Sequence, residues 1–245
     1  MLERIAQYGR GFGPVRALRI MWTLRRSHRV PPGTRITLPL PRAPLTIRAQ
    51  SHDVYAFGQV FLSQQYALPP QQPRFIIDGG AHIGCAAVDF AVRYPGAQIL
   101  AVEANAENFE LLTINTRPFP NIRCVHGAVW PTRERVHIAN PQADSWSFRC
   151  EPGGDIQGFS IGDLADMLGA PAVDIVKLDV EGAEREIFSA PDAQLWLTRT
   201  SCLLVELHDD HVPGCGRALT NLLAPGRWTT RQQGETLVVQ RAAVP

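Results

Sequence analysis

Apolar residues that run without alternation mark buried strands, and the clearest such run lies in residues 75 to 84, Phe-Ile-Ile-Asp-Gly-Gly-Ala-His-Ile-Gly. Three apolar residues lead into Asp78, glycines follow at 79, 80 and 84, and Ile83, Ala87, Phe90 and Tyr94 then recur at helical spacing. The pattern predicts a buried strand, a tight glycine turn and a helix. It repeats: Gln98 to Val102 is a second apolar strand ending in Glu103, a helix passes through Phe109, Leu112 and Ile114, and Ile122 to Val129 forms a third strand. Arg135 to Ala139 and Ser145 to Arg149 read as an added hairpin, with Asp144-Ser145-Trp146-Ser147 in its return arm, and Ser160 caps a short helix over 161 to 168. A fourth strand begins at Asp174, and Gly182 opens the helix after it. A fifth, Cys202 to Val205, ends in Glu206-Leu207-His208, followed by a helix from Arg217 to Leu223. Trp228 to Arg231 and Thr236 to Gln240 close the chain as an antiparallel hairpin about Gln233-Gly234. Strands alternating with helices in this way predict an α/β domain.

Before this domain the pattern differs. Residues 14 to 27 read as a basic amphipathic helix with Trp22 among its apolar positions. Such a helix suits packing on the body with its arginines in water, or peripheral contact with an anionic membrane or an acidic partner. Thr34 to Leu38 and Leu45 to Arg48 are short strands around a proline-rich turn, and a lid-like helix begins at Ser51 to Asp53 with an apolar face of Val54, Phe57, Val60 and Phe61. The proline-rich stretch from Pro69 to Pro73 reads as a linker. The boundary is therefore placed there, with an extension over 1–72 and the main domain over 73–245.

Composition narrows the classes. At 245 residues with 45% hydrophobic content the chain supports one sizeable core. Its net charge of +1 disfavours a nucleic-acid partner, although residues 1 to 35 hold eight arginines against Glu3 alone, which leaves the remainder negative. The start resembles neither a signal peptide nor a transmembrane segment. Five scattered cysteines, with no pair at metal-finger spacing, suit a reduced cytoplasmic setting.

Candidate chemistry gathers at strand ends. Glycines after Asp78 let a ligand approach bare backbone, and their spacing departs from the dinucleotide fingerprint. A carboxylate at Asp78 would favour a cationic ligand. Glu103, at the tip of the second strand, stands where a ribose diol can donate two hydrogen bonds, although it also sits where it can cap the helix that starts at Asn105. Gly127 and Ala128 leave a slot for a flat ring, or merely relieve crowding. Asp174-Ile-Val-Lys-Leu-Asp-Val-Glu-Gly-Ala-Glu184 places Ile175, Lys177 and Asp179 on one side of a strand, and so many charges around a buried strand demand partners or a ligand. Lys177 is the only lysine in the chain, which suggests a place for a compact ammonium. Asp179, Glu206 and His208 converge if the fourth and fifth strands are neighbours.

Several of these stretches resemble one family. Ile77-Asp-Gly-Gly-Ala-His-Ile-Gly84, Val102-Glu-Ala-Asn105, the segment 174 to 184 and Val205-Glu-Leu-His208 look like the FkbM family of O-methyltransferases, as do Ile47 to Asp53 and Gln59 to Tyr66. Ala104 stands where that family often has proline. The resemblance implies the class I methyltransferase fold, a Rossmann-like, doubly wound, mostly parallel sheet of seven strands. It also implies S-adenosylmethionine as cofactor, contacted by Asp78, Gly79, Gly80, Ala81, His82, Gly84, Glu103, Asn105, Gly127, Ala128 and Asp179. The acceptor would be a hydroxyl of a glycan, a sugar or a natural-product small molecule. His208 is the expected general base, with Asp179 and Glu206 orienting it or the acceptor and Lys177 beside them. The rival arrangement makes Asp179, Glu206 and His208 ligands of a divalent metal; none is expected in the first reading. A nicotinamide-dependent oxidoreductase and an inactive S-adenosylmethionine-binding module are the alternatives.

Overall fold

The computed structural model describes residues 12–68, 72–144 and 147–242. An N-terminal layer comes first: helix α1 (Pro14–Ser27), the antiparallel pair β1 (Arg35–Leu38) and β2 (Leu45–Arg48), and helix α2 (Asp53–Phe57), which runs on into a π-helical turn at Gly58–Leu62. Phe12, Ile20, Leu38, Ile47 and Phe57 of this layer share one apolar cluster with Ile76, Ile83, Phe90 and Leu112 of the following domain. Pro69, Pro70 and Gln71, in the stretch where the sequence suggests a boundary, lie outside the described residues.

The following domain is a seven-stranded sheet. Its strands are β3 (Phe75–Gly79), β4 (Gln98–Glu103), β5 (Ile122–His126), β10 (Val173–Leu178), β11 (Thr200–Glu206), β12 (Trp228–Gln233) and β13 (Thr236–Arg241). Their spatial order is β12-β13-β11-β10-β3-β4-β5, with β11, β10, β3, β4 and β5 parallel and the closing hairpin antiparallel against β11. Helices α3 (Cys85–Arg93), α4 (Ala106–Thr116), α5 (Ile161–Met167), α6 (Glu184–Ser189), α7 (Ala193–Thr198) and α8 (Cys215–Leu222) connect the strands. Both faces of the sheet are covered, because alternate residues enter different clusters: Ile76, Ile175 and Leu204 on one side, Ile77, Val176 and Val205 on the other. This is the doubly wound, mostly parallel fold that the sequence implied. The chain order reverses between β3 and β10, which fixes a crevice at the carboxyl ends of those strands.

Two expectations are corrected. The third strand is not continuous over 122 to 129. It breaks at Gly127, whose added Cβ would lie 2.6 Å from the Gln157 carbonyl oxygen and 2.7 Å from the Phe159 ring. Beyond the break, β6 (Ala128–Val129) leaves the main sheet and pairs with β9 (Ile156–Phe159). The added hairpin also differs in register. Its return strand is β8 (Cys150–Pro152), paired with β7 (Arg135–Ile138), so residues 147–149 form no strand. The Asn140 side chain occupies that stretch instead, donating to the Ser147 carbonyl and accepting from the Arg149 amide. Ser145 and Trp146 of the expected arm lie outside the described residues. Strand β9, which the hydrophobic pattern does not predict, joins β6 and β7 into a small second sheet.

Candidate active site

The glycine turn is shaped by backbone contact. Gly80 has φ 70°, and a Cβ there would sit 1.8 Å from the Asp179 carbonyl oxygen, so the loops after β3 and β10 touch through bare main chain. Gly84 serves another purpose: its φ is 90°, and a Cβ would meet Leu112 at 2.8 Å, so it lets α4 pack on the start of α3. Neither Gly79 nor Gly84 lies on the cavity wall.

The cavity, about 720 Å³, opens at the carboxyl ends of the parallel strands. The glycine turn gives it Gly80, Ala81 and His82; β4 and the turn after β5 give Glu103, Ala104, Gly127 and Ala128; the ends of β10 and β11 give Lys177, Asp179, Glu181 and Glu206. The N-terminal layer closes one side with His52, Tyr55, Gln59, Gln65 and Tyr66, and the small second sheet contributes Phe148 and Cys150 from its return arm. Five carboxylates (Glu103, Asp179, Glu181, Glu206 and Glu235) face one ammonium, that of Lys177, across this space. The walls suit a cationic ligand with a flat, uncharged end.

Asp78 does not supply that charge. It is fully buried, off the cavity wall, with Lys177 Nζ 3.2 Å from its Oδ1. Lys177 also donates to the Gly80 carbonyl at 2.7 Å and lies 3.6 Å from Asp179. Burial disfavours the ammonium, but Asp78, Tyr66 and Asp179 outweigh that cost and hold its proton well above the ordinary lysine range. The expected role of Asp78 passes to the wall acids, and Asp78 anchors the lysine.

Glu103 stands as expected at the tip of β4, buried and on the wall. Its Oε2 accepts from the His82 amide at 2.8 Å, and its Oε1 accepts from the Asn105 amide at 2.8 Å. Oε1 also accepts from the Asn108 side-chain amide at 3.4 Å, so Oε2 is the oxygen that retains a lone pair for a further donor. Asn105 is corrected to a structural part: its side chain caps α4 by accepting from the Asn108 amide at 3.0 Å, and it does not reach the wall. Asn108 does reach it. Its amide donates to Glu103 and accepts from Arg48 Nη2 at 2.7 Å. Arg48 in turn grips the fully buried Asp53, which also lies 3.3 Å from His82 Nε2. Burial pushes Asp53 up, but His82 and Arg48 outweigh it and hold the carboxylate below its usual range. This network ties the N-terminal layer to the glycine turn and to Glu103. Residues 47 to 53 fit the family pattern in sequence, but what Arg48 and Asp53 hold follows only from contacts with His82 and Asn108.

At the other end Asp179, Glu206 and His208 do converge, with one donor atom from each within 4.8 Å of the others. His208 Nδ1 is 2.9 Å from Oε1 of the fully buried Glu184, a carboxylate that also accepts from the amides of Val180 and Gly182. That contact aims Nε2 at Glu181 (3.6 Å), Asp179 (3.8 Å) and Glu206 (3.9 Å). Burial opposes a charged imidazole, but the bond to Glu184 and the acids nearby prevail and raise His208 to about 10. Burial, helped by Asp179, raises Glu206 to about 7, and burial raises Glu181 to about 8. Glu181 and His82 are non-glycine residues at positive φ, 54° and 50°, and both line the cavity. Backbone strain of this kind collects at functional sites.

The description of the family whose model matches residues 78–224, more than half of the chain, is "Methyltransferase FkbM domain". The chain belongs to the FkbM methyltransferase family. Among solved structures, this FkbM-family chain is similar to the methyltransferase FkbM from Methylobacillus flagellatus KT, at 13% identity and a TM-score of 0.49, over 98% of this chain and 58% of that one. It thus spans less than two thirds of that protein. The SAH-bound methyltransferase of Podospora anserina matches at 11% identity and a TM-score of 0.42 over 77% of each chain. The precorrin-6y C5,15-methyltransferase of Geobacter metallireducens GS-15 matches at 14% and 0.42, over 72% of this chain and 82% of that one. No curated protein matches the sequence. The domain match, and not these distant likenesses, carries the assignment.

Proposed function

We propose that this FkbM-family methyltransferase moves the methyl group of S-adenosylmethionine to a hydroxyl oxygen of a glycan, sugar or other small-molecule scaffold. One observation carries the reading: a single acidic cavity joins the Gly80–His82 turn and Glu103 to Asp179, Glu181 and Glu206. When bound, the cofactor supplies an electrophilic methyl on a sulfonium centre, a charge that suits the acidic wall around Asp179. Glu103 offers the free lone pair of Oε2 to a ribose hydroxyl, with its position fixed by the His82 and Asn105 amides and the Asn108 side chain. Gly127 and Ala128 leave room for a ring without adding charge.

An alcohol is a weak nucleophile and needs its proton removed as it attacks. His208 is charged at neutral pH and does not line the cavity, so it suits holding the surrounding carboxylates rather than accepting that proton. Glu206 lines the cavity and titrates near 7, so the base role passes to it. Asp179 and Glu181 then orient the acceptor.

Calorimetry with S-adenosylmethionine, S-adenosylhomocysteine and NAD tests the cofactor. The first two bind and NAD does not; NAD binding alone would sink the reading in favour of an oxidoreductase. Methyl transfer to candidate hydroxyl acceptors, followed by mass spectrometry, separates a working enzyme from an inactive binding module.

A second reading rests on the donor set. Asp179, Glu206 and His208 offer two carboxylates and an imidazole close together, with Nδ1 fixed by Glu184, a pattern that suits a divalent transition ion. Such an ion would supply acidity to a coordinated hydroxyl. Dialysis against a chelator decides: unchanged turnover removes the metal reading, and lost turnover restored by Mn²⁺ or Mg²⁺ replaces the unaided base.

A further inference from the structure

Helix α1 has two apolar faces. One is covered: Ala17 and Ile20 are fully buried, and Met21 and Leu24 pack against the core beneath. The other holds Val15, Leu18 and Trp22, which are 65%, 55% and 60% exposed. At about 100° per residue these three fall within roughly 60° of arc on the side away from the body. They are three of the seven exposed large hydrophobic residues among the described residues, so the stripe is a cluster and not scatter.

Charge surrounds this stripe. Arg16, Arg19, Arg25 and Arg26 are exposed along the same helix, and Arg29 follows just beyond its end. Among the described residues none of the five has an acidic partner within ion-pair distance. The Arg26 guanidinium lies 4.4 Å from the Trp22 ring centroid, at the edge of the apolar stripe. No helix of the described residues is long and apolar enough to cross a membrane. A convex helix face with a tryptophan and aliphatic residues flanked by arginines fits the boundary between lipid headgroups and acyl chains. An acidic protein would match the arginines but leave the apolar stripe without a groove to fill.

We propose that α1 docks the protein peripherally on an anionic lipid bilayer, with Val15, Leu18 and Trp22 entering the interface and the arginines facing lipid phosphates and carboxylates. Since the chain outside the first 35 residues is net negative, the basic helix also sets the orientation, with the rest of the body held off the surface. The proposal does not depend on the reaction assigned above.

The test is flotation of the full chain with vesicles of phosphatidylcholine alone and of phosphatidylcholine with one third phosphatidylserine. The protein floats with the anionic vesicles only, and 0.5 M NaCl weakens binding. The variants Leu18→Ser with Trp22→Ser, and Arg16→Glu with Arg19→Glu, each lower binding at least tenfold. Their melting temperatures and their calorimetric titrations with S-adenosylhomocysteine stay those of the parent, because all four side chains are exposed. No flotation with anionic vesicles, equal flotation with neutral ones, or full binding by the Leu18→Ser/Trp22→Ser variant would each overturn the proposal. Capture by an immobilised acidic polypeptide without any vesicle binding would overturn it in favour of a protein partner.

Discussion

Lys177 Nζ lies 3.2 Å from Asp78 Oδ1, and the same ammonium donates to the Gly80 carbonyl at 2.7 Å. One buried charge pair therefore fastens the glycine turn after β3 to the neighbouring strand β10. Two parallel strands are already hydrogen-bonded along their length, but the turn beyond them has no ladder. The ammonium replaces it, a compact donor that reaches Asp78 and the carbonyls of Gly79 and Gly80 together.

Lys177→Met leaves Asp78 buried without its counter-charge, and removal of one partner of a buried pair costs roughly 3–5 kcal/mol. Urea unfolding should show a loss of that size. The double variant Asp78→Asn with Lys177→Met should recover about half of it or more, because no uncompensated charge remains. A single variant as stable as the parent would show that the pair does not hold the turn.

Glu103 accepts from the His82 and Asn105 amides and lines the cavity, so its replacements test both its hold on the turn and the proposed ribose contact. Glu103→Ala should weaken S-adenosylmethionine and S-adenosylhomocysteine alike by about ten- to a hundredfold, the worth of hydrogen bonds to a charged group at roughly 1.5–3 kcal/mol. Glu103→Gln keeps one acceptor oxygen and should fall between. Calorimetry measures both; equal affinity in all three proteins would remove the ribose contact.

Strand ends made much of this site legible in the sequence. The run from Phe75 into Gly79 and Gly80 gave the turn, and charges at the ends of β10 and β11 gave Asp179, Glu206 and His208, because parallel strands in register bring their carboxyl ends together. What failed was long-range or compensatory. The bond from Arg48 to Asn108 joins residues 60 apart and leaves no periodic trace. Asp78 looked like a ligand carboxylate because its neutralisation by Lys177 depends on strand adjacency. In sequence Gly127 fits a slot for a ring or relief of crowding equally; it lines the cavity, and its close approach to Gln157 and Phe159 breaks the third strand. Glu181 lies in the segment 174 to 184 that carries the family resemblance, but its place on the cavity wall follows from the turn that joins β10 to α6, where its φ is 54°.

The assignment of the base predicts a pH profile. Burial and Asp179 raise Glu206 to about 7, so its carboxylate is protonated below that pH and free to accept a proton above it. The rate of methyl transfer under kcat/KM conditions should rise tenfold per pH unit up to about 7 and then level. Glu206→Gln should lower kcat by about 10²–10⁴-fold, the range for loss of a general base, and should abolish that limb. A variant with normal kcat and an unchanged profile would exclude Glu206 as the base.

Glu184 controls the charge of His208 without touching the cavity. Its buried carboxylate accepts from two backbone amides and faces His208 Nδ1 at 2.9 Å, and with Glu181 and Asp179 it overcomes burial to raise the imidazole to about 10. A folded-state pKa above the unfolded value of about 6.5 means that protonation favours the fold. That contribution is complete below pH 6.5 and is lost as pH rises through about 10. Glu184→Gln retains an oxygen for the amides of Val180 and Gly182 but removes the charge. The His208 resonance, followed by NMR, should then titrate well below the parent value. Urea unfolding should show the variant about 3 kcal/mol less stable at pH 6.5, where the parent pair is intact, with the gap closing toward pH 10. If His208 titrated identically in both proteins, Glu184 would not be the group that holds its proton.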